Sequence, residues 1–238
     1  MASSKPASSA LTSAEPPSRR VLPKGQHTRA VLLDAGLALS SELGLEGISI
    51  GALAEMVGMS KSGVFAHFGS RDDLQIAIIN EYYQRFEEEV FQPALQQPRG
   101  LPRVRAMFEN WIRRVTEEVQ SGCIFISGAV EFDDRKGQVR DALQHAMKTW
   151  LAAFRRAIEQ AIEEGHMKQG IDPYQIIFEL HGLILSVHYE ARFLEGSNAL
   201  ERVKHGFERI LNCYGAQPCS QARLVAASMV QAAQKPSA

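Results

Sequence analysis

Helical periodicity constrains this chain more than any other feature of its sequence. From Thr28 to Tyr214, apolar residues recur three and four positions apart, and Gly and Pro sit between the periodic segments. No long run alternates Val, Ile, Thr or Tyr as a half-buried strand would. The expected fold class is therefore all-α, and at 238 residues the chain is long enough to bury a sizeable core without staples. Hydrophobic residues make up 45% and charged residues 22%, which excludes a wholly disordered, collagen-like or disulfide-dense chain. No apolar run approaches the ~18 residues needed to cross a bilayer, so no membrane partner is expected. The first residues hold no apolar core of the ~7–15 residues a secretory signal needs, and a cytoplasmic location is the default expectation. The net charge of −1 excludes a surface that coats nucleic acid all over; any such contact must come from a local patch.

The segments divide as follows. Residues 1–24 are rich in Ser, Ala and Pro and read as a disordered basic arm, with Lys5, Arg19, Arg20 and Lys24 against Glu15. That arm is either a solvated tail or a tether touching DNA phosphates. Residues 25–70 hold three short amphipathic helices: Thr28 to Leu43, stopped by Gly44; a second from the N-cap Ser49 to Met56; and a third from the N-cap Ser60 to His67. Residues 71–214 read as a helical domain. Ser70 opens a long helix with a carboxylate three residues on, at Asp73. Further helices are expected from Leu101 to Val119, Cys123 to Phe132 and Val139 to Glu164. Another starts at Asp172-Pro173 and runs to Glu195, and a last one starts at Asn198 with a second capping-box spacing and ends at Tyr214. Residues 215–238 read as a polar tail.

The chemistry lies in the second and third helices. Two short helices around the turn at Gly58 have the size of a helix-turn-helix, whose first helix crosses the DNA backbone while the second presents its N-terminal half to base edges. Lys61, Ser62, Gly63 and His67 are the exposed positions expected there, small or polar as close approach to bases requires. Ser60 and the helix N-terminus offer donors to a phosphate.

The contiguous stretch GLEGISIGALAEMVGMSKSGVFAHFGSRDDL, within Thr28 to Leu74, resembles the N-terminal domain of the TetR family of bacterial transcriptional regulators. The matching pieces are Gly44-Leu45, the Ser49 to Ala54 helix, Gly58 to Ser62, the aromatic-x-His-Phe of Phe65 to Phe68, and Ser70-Arg71. The resemblance implies that Lys61, Ser62 and Gly63 begin the recognition helix and that Phe65 packs on the sugar-phosphate backbone. It places His67 against the backbone, has Arg71 grip a phosphate, and lets Thr28 and Arg29 touch the backbone from the first helix; Ser49, Gly51 and Ser60 join this set. Two positions depart from the pattern: Gly51 stands where a basic or polar contact is usual, and Phe65 lacks the hydroxyl of a tyrosine. Both departures weaken the hold on phosphate, and the basic arm could compensate. Phe68, in line with Leu53 and Val64, is expected in the core.

In the body, aromatic residues at helical spacing are first of all core. The resemblance adds that some line a cavity for an unidentified small-molecule effector. The candidates are Phe108, Trp111, Phe125, Trp150, Phe154, Phe178, His181 and His188. His181 and His188 lie two turns, ~10 Å, apart on one helix, too far to share an ion, so no metal and no cofactor is expected. Cys123, Cys213 and Cys219 form no metal or redox pair; Cys123 follows Gly122 at a helix start, where its thiol pKa could be lowered. The helices 173–195 and 198–214 read as more apolar than burial of one face requires, which suggests an isologous homodimer on double-stranded operator DNA. The sequence thus reads as a sequence-specific repressor released from a palindromic operator by its effector. Two other readings were weighed. A helical-bundle enzyme finds no nucleophile–base set, no H-E-x-x-H and no phosphate loop, so no enzymatic activity is expected. A ligand carrier with a vestigial hairpin finds support in Gly51 alone.

Overall fold

The computed structural model describes residues 24–216. The arm with Lys5, Arg19 and Arg20, the tail from 217 and Cys219 lie outside them. Among the described residues the molecule is helical throughout, apart from one isolated bridge between Met167 and Gly215. The helices are α1 (Lys24–Leu43), α2 (Ile50–Val57), α3 (Lys61–Phe68), α4 (Arg71–Phe86), α5 (Gln92–Leu95), α6 (Leu101–Glu117), α7 (Ile124–Phe132), α8 (Gln138–Glu163), α9 (Pro173–His188) and α10 (Ala199–Tyr214).

The polar residues that open these helices do so by accepting backbone N–H groups that would otherwise lack a partner. Ser49 takes Ala52 N and Ser60 takes Gly63 N, both at 3.1 Å. Ser70 accepts from Asp73 N at 3.0 Å and donates back to the Asp73 carboxylate at 2.6 Å. Asp172 takes Tyr174 N ahead of Pro173. Asn198 makes no side-chain cap, so the second expected capping box does not form.

Three other boundaries differ from the sequence reading. α1 starts at Lys24, inside the stretch expected to be disordered. α4 runs on through a π-helical turn, Glu87–Phe91, into α5, and α9 ends the same way in Tyr189–Phe193. In each the apolar period slips by one residue, which a search at 3.6 residues per turn reads as one unbroken helix.

One core serves the whole molecule. α1 to α3 close on Leu32, Leu53, Val64 and Phe68, and Phe68 is buried as expected. The body is organised by a cluster of rings: Trp150 meets Phe86 at 5.0 Å and Trp111 at 5.4 Å edge-on, and Phe125 meets Tyr82 at 4.8 Å. Edge-to-face pairs of this kind add ~0.5–1.5 kcal/mol each beyond their burial. Because α4 packs on α1 and α3 at one end and on α8 along its length, the hairpin is fixed to the body.

Candidate nucleic-acid interface and ligand cavity

The α2–α3 turn depends on Gly58. Its φ of 67° is left-handed, and its N–H closes α2 onto Ala54 and Glu55. α3 then turns Val64 and Phe68 inward and leaves Lys61, Ser62, Phe65 and Ala66 exposed on its outer face. Phe65 is 55% exposed, a large ring with no ring contact among the described residues. His67 and Gly63 are half-buried at the edges of that face.

Gly51 lies against the end of the Lys61 side chain. A Cβ there would lie 3.3 Å from Lys61 Cε and 3.5 Å from its Nζ. The absent side chain at 51 leaves room for the end of the Lys61 side chain beside the start of α2.

The two arginines expected at the backbone have partners within the chain. Arg29 donates to the His67 carbonyl at 3.1 Å and lies over the Phe68 ring at 4.7 Å, so it ties α1 to the end of α3. Arg71 donates from Nε to the Ile48 carbonyl at 2.9 Å, donates also to the Glu46 carbonyl, and pairs with the Glu46 carboxylate at 3.2 Å. Its guanidinium braces the loop before Ser49, and its side chain is still 46% exposed. Thr28 is half-buried on α1.

That loop is also held from the body. Glu131, on α7, accepts the Glu46 N–H at 2.7 Å, and Arg135 pairs with the Glu46 carboxylate at 2.6 Å. Burial pushes the Glu46 carboxyl up, but Arg135 and Arg71 outweigh it and hold the group below the usual carboxylate range. Gly44, at φ 70°, passes so close to Glu131 that a Cβ would fall 2.6 Å from its carboxylate oxygen.

α7 has a second face. With α8, α9 and Trp111 of α6 it lines a half-open cavity of about 470 Å³. Of the candidate pocket residues, Trp111, Phe125 and His181 line it. The other five do not. Phe108 stacks on Phe207 at 4.1 Å, and Trp150 and Phe154 stand behind Trp111 as core. Phe178 is 74% exposed on the outer face of α9. His188 lines a separate cavity of about 430 Å³ between α1 and the body, among Arg85, Arg114 and Arg192. Helical spacing cannot tell the inner layer of a core from a cavity wall, which is why Phe108, Trp150 and Phe154 read as candidates.

The sequence reading missed Leu143, Met147 and Leu151 of α8 and Ile184 of α9 as cavity walls, and Arg140 and Lys148 as lining cations. The signal was present: 140, 143, 144, 147, 148 and 151 form one face of α8. His181 stacks on Trp111 at 5.7 Å, and burial lowers its pKa.

Cys123 also faces the cavity, and there burial decides its chemistry. Instead of the lowered pKa a helix start could give, burial and the nearby Glu118 push the thiol up to about 12. It sits 3.2 Å from the Tyr82 hydroxyl, which donates to Glu118 at 2.7 Å; Arg114 pairs with Glu118 at 2.6 Å. A neutral, enclosed thiol is a poor nucleophile and a poor redox sensor. Among the described residues no group of three or more His, Cys, Asp or Glu could hold a metal, and no helix is long and apolar enough to cross a membrane.

Two family models match the chain. Residues 32–78 match "Bacterial regulatory proteins, tetR family", and residues 100–207 match "Tetracyclin repressor-like, C-terminal domain". Together they cover more than half of it. None of the curated proteins compared with the chain matches it. Solved structures do. A TetR transcriptional regulator from Chloroflexus aurantiacus shares 21% identity at a TM-score of 0.69, over 79% of this chain and 94% of that one. A TetR-family regulator from Cytophaga hutchinsonii shares 16% at 0.71, over 83% and 100%. AibR, solved with isovaleryl coenzyme A and operator DNA, shares 23% at 0.61, over 79% and 97%. With the helix-turn-helix, the all-helical body and both family models in agreement, the chain belongs to the TetR family: it is a DNA-binding transcriptional repressor with a ligand-binding C-terminal domain.

Proposed function

We propose that residues 25–70 bind a palindromic operator with α3 in the major groove, and that residues 71–214 bind the effector and a second copy of the chain. Lys61, Ser62 and Phe65 meet the DNA directly, with Ser60, Gly63 and His67 at the margin of the contact. Ser49 shapes the start of α2, and Gly51 makes room for Lys61. Arg29 and Arg71 act first as braces, and the exposed part of Arg71 remains available to a phosphate. Thr28 approaches the backbone from α1.

The observation that carries the ligand-responsive part is that one short helix, α7, forms a wall of the 470 Å³ cavity and also holds the loop leading into the helix-turn-helix through Glu131. An occupant that displaces α7 acts on Glu46, and Glu46 is bound to Arg71 and leads to Ser49. The effector then shifts the population away from the DNA-competent state by no more than its difference in affinity for the two states.

A homodimer, in the cytoplasm, completes the reading. Tyr174, Phe178, Tyr189 and Phe193 form an exposed stripe along α9 and the turn after it, and Leu185, partly exposed on the same side, also lines the cavity. α10 behaves otherwise than its composition suggested: Ala199, Val203, Phe207 and Leu211 are its one buried stripe, and its outer face is polar. The apolar part of the interface therefore falls to α9, with α10 supplying a polar margin. A two-fold axis would set the two α3 helices ~34–36 Å apart, one DNA turn.

The test is selection of an operator from random duplexes, followed by titration with the wild type and Lys61→Ala. The expected result is loss of about tenfold in affinity and a shallower salt dependence by about one ion in the variant, with unchanged circular dichroism. Equal affinity would remove α3 from the interface.

A further inference from the structure

Given that the cavity behind α7 is the effector site, we propose that its ligand is an amphipathic acid: an apolar chain with an anionic head, the chain held against the cavity walls and the head held by Arg140, with Lys148 adding positive charge at the same cavity mouth. The walls are aromatic and aliphatic, from Trp111, Phe125, Leu143, Met147 and Ile184. At about 470 Å³ the space lies within the range that encloses a small organic ligand. Such walls favour a hydrocarbon body at ~25 cal/mol per Å² removed from water.

The two cations break the apolar pattern. Arg140 and Lys148 are two turns apart on the cavity face of α8, and neither forms an ion pair among the described residues. Arg140 donates from Nε to the Asp133 backbone carbonyl at 3.2 Å, and Lys148 donates to the Gln144 side-chain oxygen at 2.9 Å. Both partners are neutral, so neither cation is ion-paired among the described residues, and the lining holds two cations against one carboxylate. The one carboxylate in the lining, Asp133, accepts the Asp134 N–H at 2.8 Å. Most other arginines of the described body pair with a carboxylate, as Arg99, Arg105, Arg114 and Arg156 do. The planar fork of Arg140 suits a carboxylate or phosphate, and the flexible ammonium of Lys148, two turns along α8, adds positive charge to the same lining. Lys148 is exposed and Arg140 is half-buried, so the head sits where the cavity meets water while the chain lies against the walls. An uncharged hydrocarbon would leave both cations without a counter-ion, and a cationic ligand would be repelled by them.

The head could be a free carboxylate or the phosphates of a thioester carrier; both present the same charge to Arg140 and Lys148. The experiment titrates the purified full-length chain with straight-chain acids of six to fourteen carbons, the matching alcohols and the matching coenzyme A thioesters, read by fluorescence of Trp111 and Trp150. The expected result is an acid or thioester bound at least tenfold more tightly than its alcohol. That preference should fall below threefold in Arg140→Gln/Lys148→Gln and weaken with added salt. Which of the two anions binds more tightly identifies the source. An alcohol bound as tightly as its acid and its thioester, a preference unchanged in the double variant, or no binding by any chain would overturn the proposal. The cavity assignment is tested separately with Met147→Trp, which fills the wall. Acid binding untouched by that substitution would place the ligand elsewhere and so remove the assignment itself.

Discussion

At the residue scale, the DNA-facing surface is built from small side chains that make room for a few larger ones. The end of the Lys61 side chain lies 3.3 Å from where a Cβ at Gly51 would stand, so the glycine leaves space for the one lysine of α3. A sequence pattern read position by position cannot show this, since the two positions meet across the helix pair. Phe65 is the other departure. Its exposed ring covers the backbone but lacks a hydrogen-bond donor. Phe65→Tyr should therefore tighten operator binding two- to tenfold, about 0.5–1.5 kcal/mol, by adding a hydroxyl donor to a phosphate. A filter-binding or anisotropy titration checks this, and equal affinity would mean that the ring edge does not face a phosphate oxygen. Arg29 and Arg71 show a further limit of reading side chains singly: a basic residue next to a helix-turn-helix can serve the fold before it serves the ligand. Their carbonyl partners, on His67 and on the Glu46 to Ile48 loop, are backbone groups, and backbone geometry has no letter in the sequence.

At the element scale, the longer helices were legible because each carries its own period, and four of the ten described helices carry a side-chain cap. Ser49, Ser60, Ser70 and Asp172 all cap as their positions suggest. The π-helical turns after α4 and α9 were not legible, because a one-residue slip leaves composition unchanged. The cavity was half legible. Trp111, Phe125 and His181 line it, whereas Phe108, Trp150 and Phe154 are core, and the difference depends on which neighbouring helix fills the space between them. Phe178 shows the same ambiguity facing outward. Its helix has two apolar faces, one set by Ile176, Leu180, Ile184 and Val187 in the core and one by the exposed stripe. Phe178→Glu with Phe193→Glu should leave helical content intact and shift the chain from dimer to monomer in sedimentation equilibrium, because two buried charges per copy would lie in an apolar interface. A dimer that persists with wild-type stability would move the interface off α9.

At the scale of the whole molecule, pH reports how the body is closed. Burial lowers the pKa of His181, and burial with Arg192 nearby lowers that of His188. A histidine held neutral in the fold takes up its proton less readily than in the unfolded chain, where its pKa is about 6.5. Stability is therefore full above that value and falls as pH drops below it, because the unfolded state then binds more protons. Glu118, raised by burial, acts in the opposite sense. The difference between wild type and His181→Gln isolates the first effect: the wild type should lose more stability than the variant between pH 7 and about 5.5 in denaturant titrations. Parallel curves would show that His181 titrates as freely in the folded protein as in the unfolded one.

The same scale holds the central claim, that occupancy of the cavity reaches α2 and α3 through α7. Glu131 is the link that can be cut without touching the cavity lining or the DNA-facing surface. The most direct measurement is a double-mutant cycle on operator affinity with Met147→Trp, which fills the cavity as an occupant would, and Glu131→Ala, which removes the hold of α7 on the Glu46 N–H while Arg135 still pairs with the Glu46 carboxylate. Met147→Trp alone is predicted to weaken operator binding about tenfold, and the same substitution in the Glu131→Ala background to change it less than threefold. An equal loss in both backgrounds would show that the two sites do not communicate through α7, and would contradict this account.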